Sequence, residues 1–484
     1  MPLDSIGRAC ARGRTPVRFA RLRWALAATT LALLPFSPMA AEDVPAAPAS
    51  GVPPGTAPDD APPAEKAPAN PAEPPASPYG SIKWDYSPLG VYGPTFTSAD
   101  QQNRLTMGLF VWFDSSFVLD DDEMAEALGR DEIDGESRIA TARLEFNGSY
   151  TDDYWYYFRV DFQDNGSGSG QSAVEWAALG LSNLPIVQNL LVGLQMPTYG
   201  LDIWANYPRH RLMLEPSLIN AFFHGPFLGI TAYDVDMEHK LSWALGVGRD
   251  TSEEQADGLQ AVDKGEDDFV VHGRFSFLPI YNELGRHMLH LGVSGALFKP
   301  EDDTLVWGIW PEVYTDDVEL YPLALIEGAK KSYLAVAEMR YANGPFWMQS
   351  DYLWNRNERD VGGDLDFSSW YVEAGYFLTG HQTVFSPLAI NGQVLPVPRT
   401  NRKEGLRGAW EVQARYSELD MTDKELQGGG PPFVQGAEVK NITLGLNWFL
   451  NQHIKIGINY VHSVREDLDD ASIDTIQTRV AWTL

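Results

Sequence analysis

The sequence predicts an all-β protein, a transmembrane antiparallel β-barrel of about 16 strands behind a disordered N-terminal arm. Three observations carry that expectation. The chain opens on an export signal, then repeats runs of roughly ten residues that alternate apolar and polar, and ends on one more such run.

The signal comes first. Arg8, Arg12, Arg14, Arg18, Arg21 and Arg23 precede an apolar run from Trp24 to Phe36, and small residues follow at Ala40 and Ala41. The apolar run is about 13 residues, short of the ~20 a spanning helix needs. Residues 1–41 therefore read as a cleaved secretory signal. The single cysteine, Cys10, leaves with it, so the mature chain has neither thiol nor disulfide. Removing the signal takes six Arg and Asp4 from the 36 basic and 66 acidic residues, leaving 30 and 65 and a net charge of −35. Such a chain is a poor partner for nucleic acid.

Residues 42–80 hold twelve of the 33 prolines, among alanines and acids. This segment lacks apolar surface to bury and is expected to be an extended, disordered linker. Residues 81–484 make up the barrel domain.

The hairpin NITLGLNWFLNQHIKIGINYVHS, Asn441 to Ser463, shows the pattern best. Ile442, Leu444, Leu446, Trp448 and Leu450 share one parity, which Ile454, Ile456, Ile458 and Tyr460 continue after a turn at 451–453. Thr443, Gly445, Asn447, Lys455, Gly457 and Asn459 occupy the other. Side chains alternate across a strand, so one face is aliphatic and the other small or polar. Taken alone, the hairpin suits a soluble sandwich equally well. The same grammar recurs from Asn103 onward, in Leu105 to Asp114, Ala142 to Asn147 and Tyr156 to Asp161, with short turns alternating with long acidic connections. Ile476, Thr478, Val480, Trp482 and Leu484 then supply the closing strand that a barrel requires. With no long apolar helix in the sequence, a membrane is crossed by strands or not at all.

Several segments resemble the outer-membrane porins grouped as phosphate-selective porins O and P: SRIATARLEFNG at 137–148, EPSLINAF at 215–222, GPFWMQSDYLW at 344–354, WYVEAGYFLTG at 370–380, GAWEVQARYSELD at 408–420 and LGLNWFLN at 444–451. The resemblance implies a 16-stranded barrel in the bacterial outer membrane, a homotrimer, and an inward-folded loop that narrows the pore. Three cations of the family's pattern are missing. Gly193 to Pro197 lacks the lysine before the proline, Pro216 replaces an arginine, and Gly225 is followed by Pro226 and Phe227. A phosphate-binding wall needs fixed cations and backbone donors to replace the ion's water.

Folding the strands about Asp152 sets Arg143 opposite Asp161 and Glu145 opposite Arg159, a checkerboard of charge that orients polar solutes or simply pairs itself. Arg340 and Arg415, with Glu338 and Glu411 nearby, and Lys455 complete the pore-lining candidates. Arg209, Arg211, Arg399, Arg402 and Lys403 are candidate constriction or loop cations. The expected function is passive diffusion of small hydrophilic solutes or ions, anions such as phosphate included. The alternative is a cation-leaning general channel. An outer-membrane barrel enzyme is a further alternative, for which no G-x-S-x-G or H-E-x-x-H motif is present. No cofactor or metal is expected; the expected partners are outer-membrane lipid and lipopolysaccharide.

Overall fold

The computed structural model describes residues 80–86, 92–162, 173–204, 213–223, 225–250, 269–282, 285–300, 303–308, 312, 323–360, 362–381, 383–386, 393–396, 408–423, 436–451 and 453–483. The expected signal and, but for Gly80, the expected proline-rich linker lie outside these residues.

A short hairpin, β1 (Ser81–Tyr86) and β2 (Tyr92–Thr97), precedes the wall. The wall begins with β3 (Asn103–Asp120), β4 (Ser137–Tyr150), β5 (Tyr154–Asp161), β6 (Ala173–Leu184), β7 (Gln188–Gln195) and β8 (Phe227–Asp236). Next come β9 (Leu241–Asp250), β10 (Phe269–Asn282) and β11 (His287–Lys299). A side hairpin of β12 (Thr304–Gly308) and β13 (Leu323–Glu327) leads to β14 (Ala329–Asn343), β15 (Phe346–Arg359) and β16 (Leu365–Phe377). A second side pair, β17 (Thr383–Ser386) and β18 (Gln393–Pro396), precedes β19 (Ala409–Asp420), β20 (Glu438–Phe449), β21 (Ile454–Arg465) and β22 (Ala471–Thr483).

Each wall strand pairs antiparallel with the next, and β22 returns to β3, closing a barrel of 16 strands. Closure leaves no open edge along the wall. Among the described residues the helices are short, the longest being Asp122–Leu128 in the connection after β3.

The alternation in the sequence becomes the two faces of the wall. Leu444 is 50% exposed and Ile442 46% on the outside, whereas Thr443, Asn447 and Asn459 on the inside are fully buried. The register expected from the turn is the one formed, with Trp448 opposite Ile456 and Asn447 opposite Gly457. Outward aromatics gather at the short-turn end, where Trp410 stacks on Trp448 at 5.1 Å and Tyr150 lies 6.4 Å from Tyr154. Amphipathic rings there suit the interface between hydrocarbon and water. Placing arginine at Leu444, mid-strand on the apolar face, is expected to lower barrel stability by about 2–4 kcal/mol, measured by denaturant titration in lipid bilayers.

The alternating pattern in the sequence starts the strands at Asn103, so the β1–β2 hairpin is an addition. β22 reaches only as far as Phe110 along β3; below it, Thr95, Phe96 and Thr97 pair with Thr106, Leu105 and Arg104. A Cβ on Gly93 would lie 1.8 Å from the carbonyl oxygen of Met107, so only glycine allows this close approach.

Candidate pore and its inward-folded connections

The charge checkerboard of β4 and β5 forms as the register dictates, Arg143 facing Asp161 and Glu145 facing Arg159. Arg143 Nε donates to Asp161 at 2.7 Å and Arg159 Nε to Glu145 at 2.7 Å. Glu175 on β6 joins both, accepting from Arg143 Nη2 at 2.7 Å and Arg159 Nη1 at 3.4 Å. The side chains of Arg143 and Glu175 keep 16% exposure, against 2% for Arg159 and none for Glu145. The Arg143–Glu175 pair is thus the more open end of the network. Arg159 Nε and Nη2 also donate to the Tyr157 hydroxyl, at 3.1 and 2.9 Å, and the guanidinium lies 5.8 Å from the Trp176 ring, whose π face adds to its attraction.

Arg340 and Arg415 take partners other than the glutamates near them on their own strands. Arg340 donates to Gln349, whose amide nitrogen donates to the Tyr371 hydroxyl at 3.1 Å. Glu338 instead pairs with Arg274 at 2.6 Å. Glu411 accepts from Trp347 Nε1 at 2.7 Å and Asn447 Nδ2 at 2.9 Å. Lys455 is half-buried, its ammonium 5.7 Å from the Phe449 ring. Arg209, Arg211, Arg399, Arg402 and Lys403 lie outside the described residues.

The connection from β7 to β8 folds into the barrel, and wall residues hold it at successive points. Thr198 gives its backbone N–H to His272 Nδ1 at 3.2 Å. Gly200 N donates to Glu338 at 3.2 Å and to Ser294 Oγ at 3.1 Å. Leu201 N and Asp202 N both donate to Asp351 Oδ2, at 2.7 and 3.2 Å. Asp202 in turn accepts the backbone N–H and hydroxyl of Ser217, fixing the return of the segment. Two arginines then take its carbonyls. Arg415 Nη1 donates to Glu215 O at 2.9 Å and Nη2 to Pro216 O at 3.3 Å; Arg479 donates to Leu214 O and to the Glu215 carboxylate. Gly457 makes room for this segment, since a Cβ there would lie 2.5 Å from Leu214 Cδ2.

A second connection also turns inward. The β12–β13 hairpin between β11 and β14 buries Trp307, whose ring centre lies 5.4 Å from Phe222 and 5.6 Å from Phe298. Its indole N–H donates to Asn357 at 3.1 Å. Tyr199, Leu218, Ile219, Phe222 and Trp307 form one apolar core with wall residues such as Phe298, Leu353 and Phe367. Each large apolar side chain withdrawn from water there contributes about 2 kcal/mol. From the same connection Glu312 reaches Arg415 on β19 at 2.7 Å. The resemblance implied one inward loop, and the barrel contains two, packed together.

The profile of the family described as phosphate-selective porin O and P matches residues 114–481. The chain belongs to that family. It is an outer-membrane porin. Porin O of Pseudomonas aeruginosa is 23% identical over 363 residues, covering 69% of this chain and 78% of that one. An uncharacterized protein of Caulobacter vibrioides is 24% identical over 278 residues, covering 56% and 52%. Among solved structures, the porin is similar to OmpT of Vibrio cholerae in its trimer form, at 9% identity and a TM-score of 0.48, covering 79% of this chain and 99% of that one. It is also similar to an anion-selective porin from Comamonas acidovorans, at 13% identity and a TM-score of 0.48, covering 79% and 100%.

The sequence alone does not single out Arg479, Asp351, His272 or Glu312. Arg479 carries a signal, being the one inward-parity cation of the closing strand. Glu312 carries none, because it stands in a connection where no periodicity fixes a direction.

Proposed function

We propose that the pore passes small hydrophilic solutes and inorganic ions, phosphate among them, by passive diffusion and without a high-affinity phosphate site. The observation that carries this reading is the engagement of the wall arginines. Arg143, Arg159, Arg274, Arg415 and Arg479 each hold a carboxylate within 2.7 Å. A guanidinium neutralised in this way orients polar solutes without binding an anion tightly. A cation-leaning pore is the second reading. It is favoured by Asp202, an inner carboxylate that accepts from the backbone N–H and the hydroxyl of Ser217, and by the mature charge of −35.

Single-channel recording in a salt gradient separates the two. A small reversal potential with phosphate passing at millimolar concentration supports general diffusion, and a clear cation-signed potential supports the second reading. Block by submicromolar phosphate would overturn both.

The same proposal takes residues 1–41 as the export leader and 42–80 as a spacer arm, and it assigns no catalytic step. It takes the functional unit as a homotrimer, following the family resemblance, with lipid against the outward apolar rows and lipopolysaccharide around the outer rim. Cross-linking of the purified protein in mild detergent tests the assembly.

A further inference from the structure

Glu312 is a carboxylate held in a site that it does not itself build. The connection between β11 and β14 delivers it to the far wall, where Arg415 donates from Nη2 at 2.7 Å and from Nε at 3.2 Å. Thr443 Oγ1 donates to it at 2.5 Å, and Ser417 Oγ donates to its other oxygen. Arg415 and Thr443 face each other across the β19–β20 pair, and Ser417 stands two residues from Arg415 on the same face. Glu312, Arg415, Ser417 and Thr443 are all buried. A guanidinium and two hydroxyls converging on both oxygens of one carboxylate form a complete receptor for that group.

The receptor belongs to the rigid wall, and its occupant comes from a connection. Arg415 has further ties, to the carbonyls of Glu215 and Pro216 and to Glu373 at 3.5 Å. Those ties keep the guanidinium in place if Glu312 is removed.

We propose that β19 and β20 form a binding site for small carboxylates in the pore, and that Glu312 is its built-in occupant. By filling the site, Glu312 masks Arg415 from passing anions and sets the weak selectivity at this level of the lumen. The inference goes beyond the diffusion reading and depends on it only for a lumen that conducts.

The test is Glu312→Ala in planar bilayers, with acetate as the probe. The reversal potential is expected to move toward anions. Acetate is expected to reduce chloride current at a concentration at least about tenfold below any effect on the unmodified channel, the factor expected for one charge-assisted contact. Adding Arg415→Gln to that variant is expected to abolish the acetate effect. Equal acetate responses in the unmodified and Glu312→Ala channels would overturn the proposal. If the alanine variant fails to fold, Glu312→Gln retains the shape and removes the charge, and an unchanged reversal potential in it would be equally fatal. Should the unmodified channel not conduct, the diffusion reading fails instead. The site is then judged by whether acetate raises the unfolding temperature of Glu312→Ala and leaves the unmodified protein unmoved.

Discussion

Arg159→Ala is expected to destabilise the barrel by about 3–5 kcal/mol, because it leaves a buried carboxylate without its counter-charge. Glu145 is fully buried and takes Arg159 Nε at 2.7 Å, while the Tyr157 hydroxyl accepts from the same guanidinium and the Trp176 ring lies beside it. The loss lies mainly in the buried Glu145 losing that guanidinium rather than in lost packing. Replacing both residues, as Glu145→Gln with Arg159→Met, is therefore expected to recover most of it. Denaturant titration of the single and double variants checks this, with heat-modifiable migration in detergent reporting the folded fraction. A double variant as unstable as Arg159→Ala would show that the cost comes from packing.

Arg479→Ala is expected to have the largest effect on conduction. The side chain joins three parts of the pore: its own β22, β3 through Asp114 at 2.7 Å, and the inward segment through the Glu215 carboxylate and the carbonyl of Leu214. Its guanidinium also lies 4.2 Å from the Trp112 ring. Without it, the returning half of the inward segment keeps Arg415 and Gln477 but loses its arginine tie to the closing strand. Single-channel conductance and open-channel noise are both expected to rise, while Arg479→Lys, with one point charge in place of a fork, falls between. Conductance and noise identical to the unmodified channel would show that the segment holds its place without Arg479.

The contrast between Arg159 and Arg415 separates what a sequence of this kind discloses from what it hides. Arg159 and its partner follow from one turn at 151–153 and a period of two, so the pairing of Glu145 with Arg159 is legible in the order of residues alone. The faces of β20 and β21 are legible for the same reason. Arg415 has the same inward parity, which marks it as lining the lumen, yet besides Glu373 opposite it on β16 its partners are Glu312 and two carbonyls from connections distant in sequence. Periodicity orders residues along a strand; it does not describe what enters the lumen from a connection. The hairpin of β1 and β2 escapes notice on other grounds. Its strands are six residues each, and one contains Gly93 and Pro94, which weaken a strand signal.

That hairpin bears on how the barrel acquires its register. β2 and β3 are neighbours in the chain and pair locally, whereas β22 pairs with β3 across the full sequence of the wall. Once β2 covers β3 at 104–106, the edge left for the closing strand starts near Phe110. A slip of β22 further down β3 would run into β2. The hairpin thus sets a stop on β3: with β2 in place, the closing strand has no edge to pair with below Phe110.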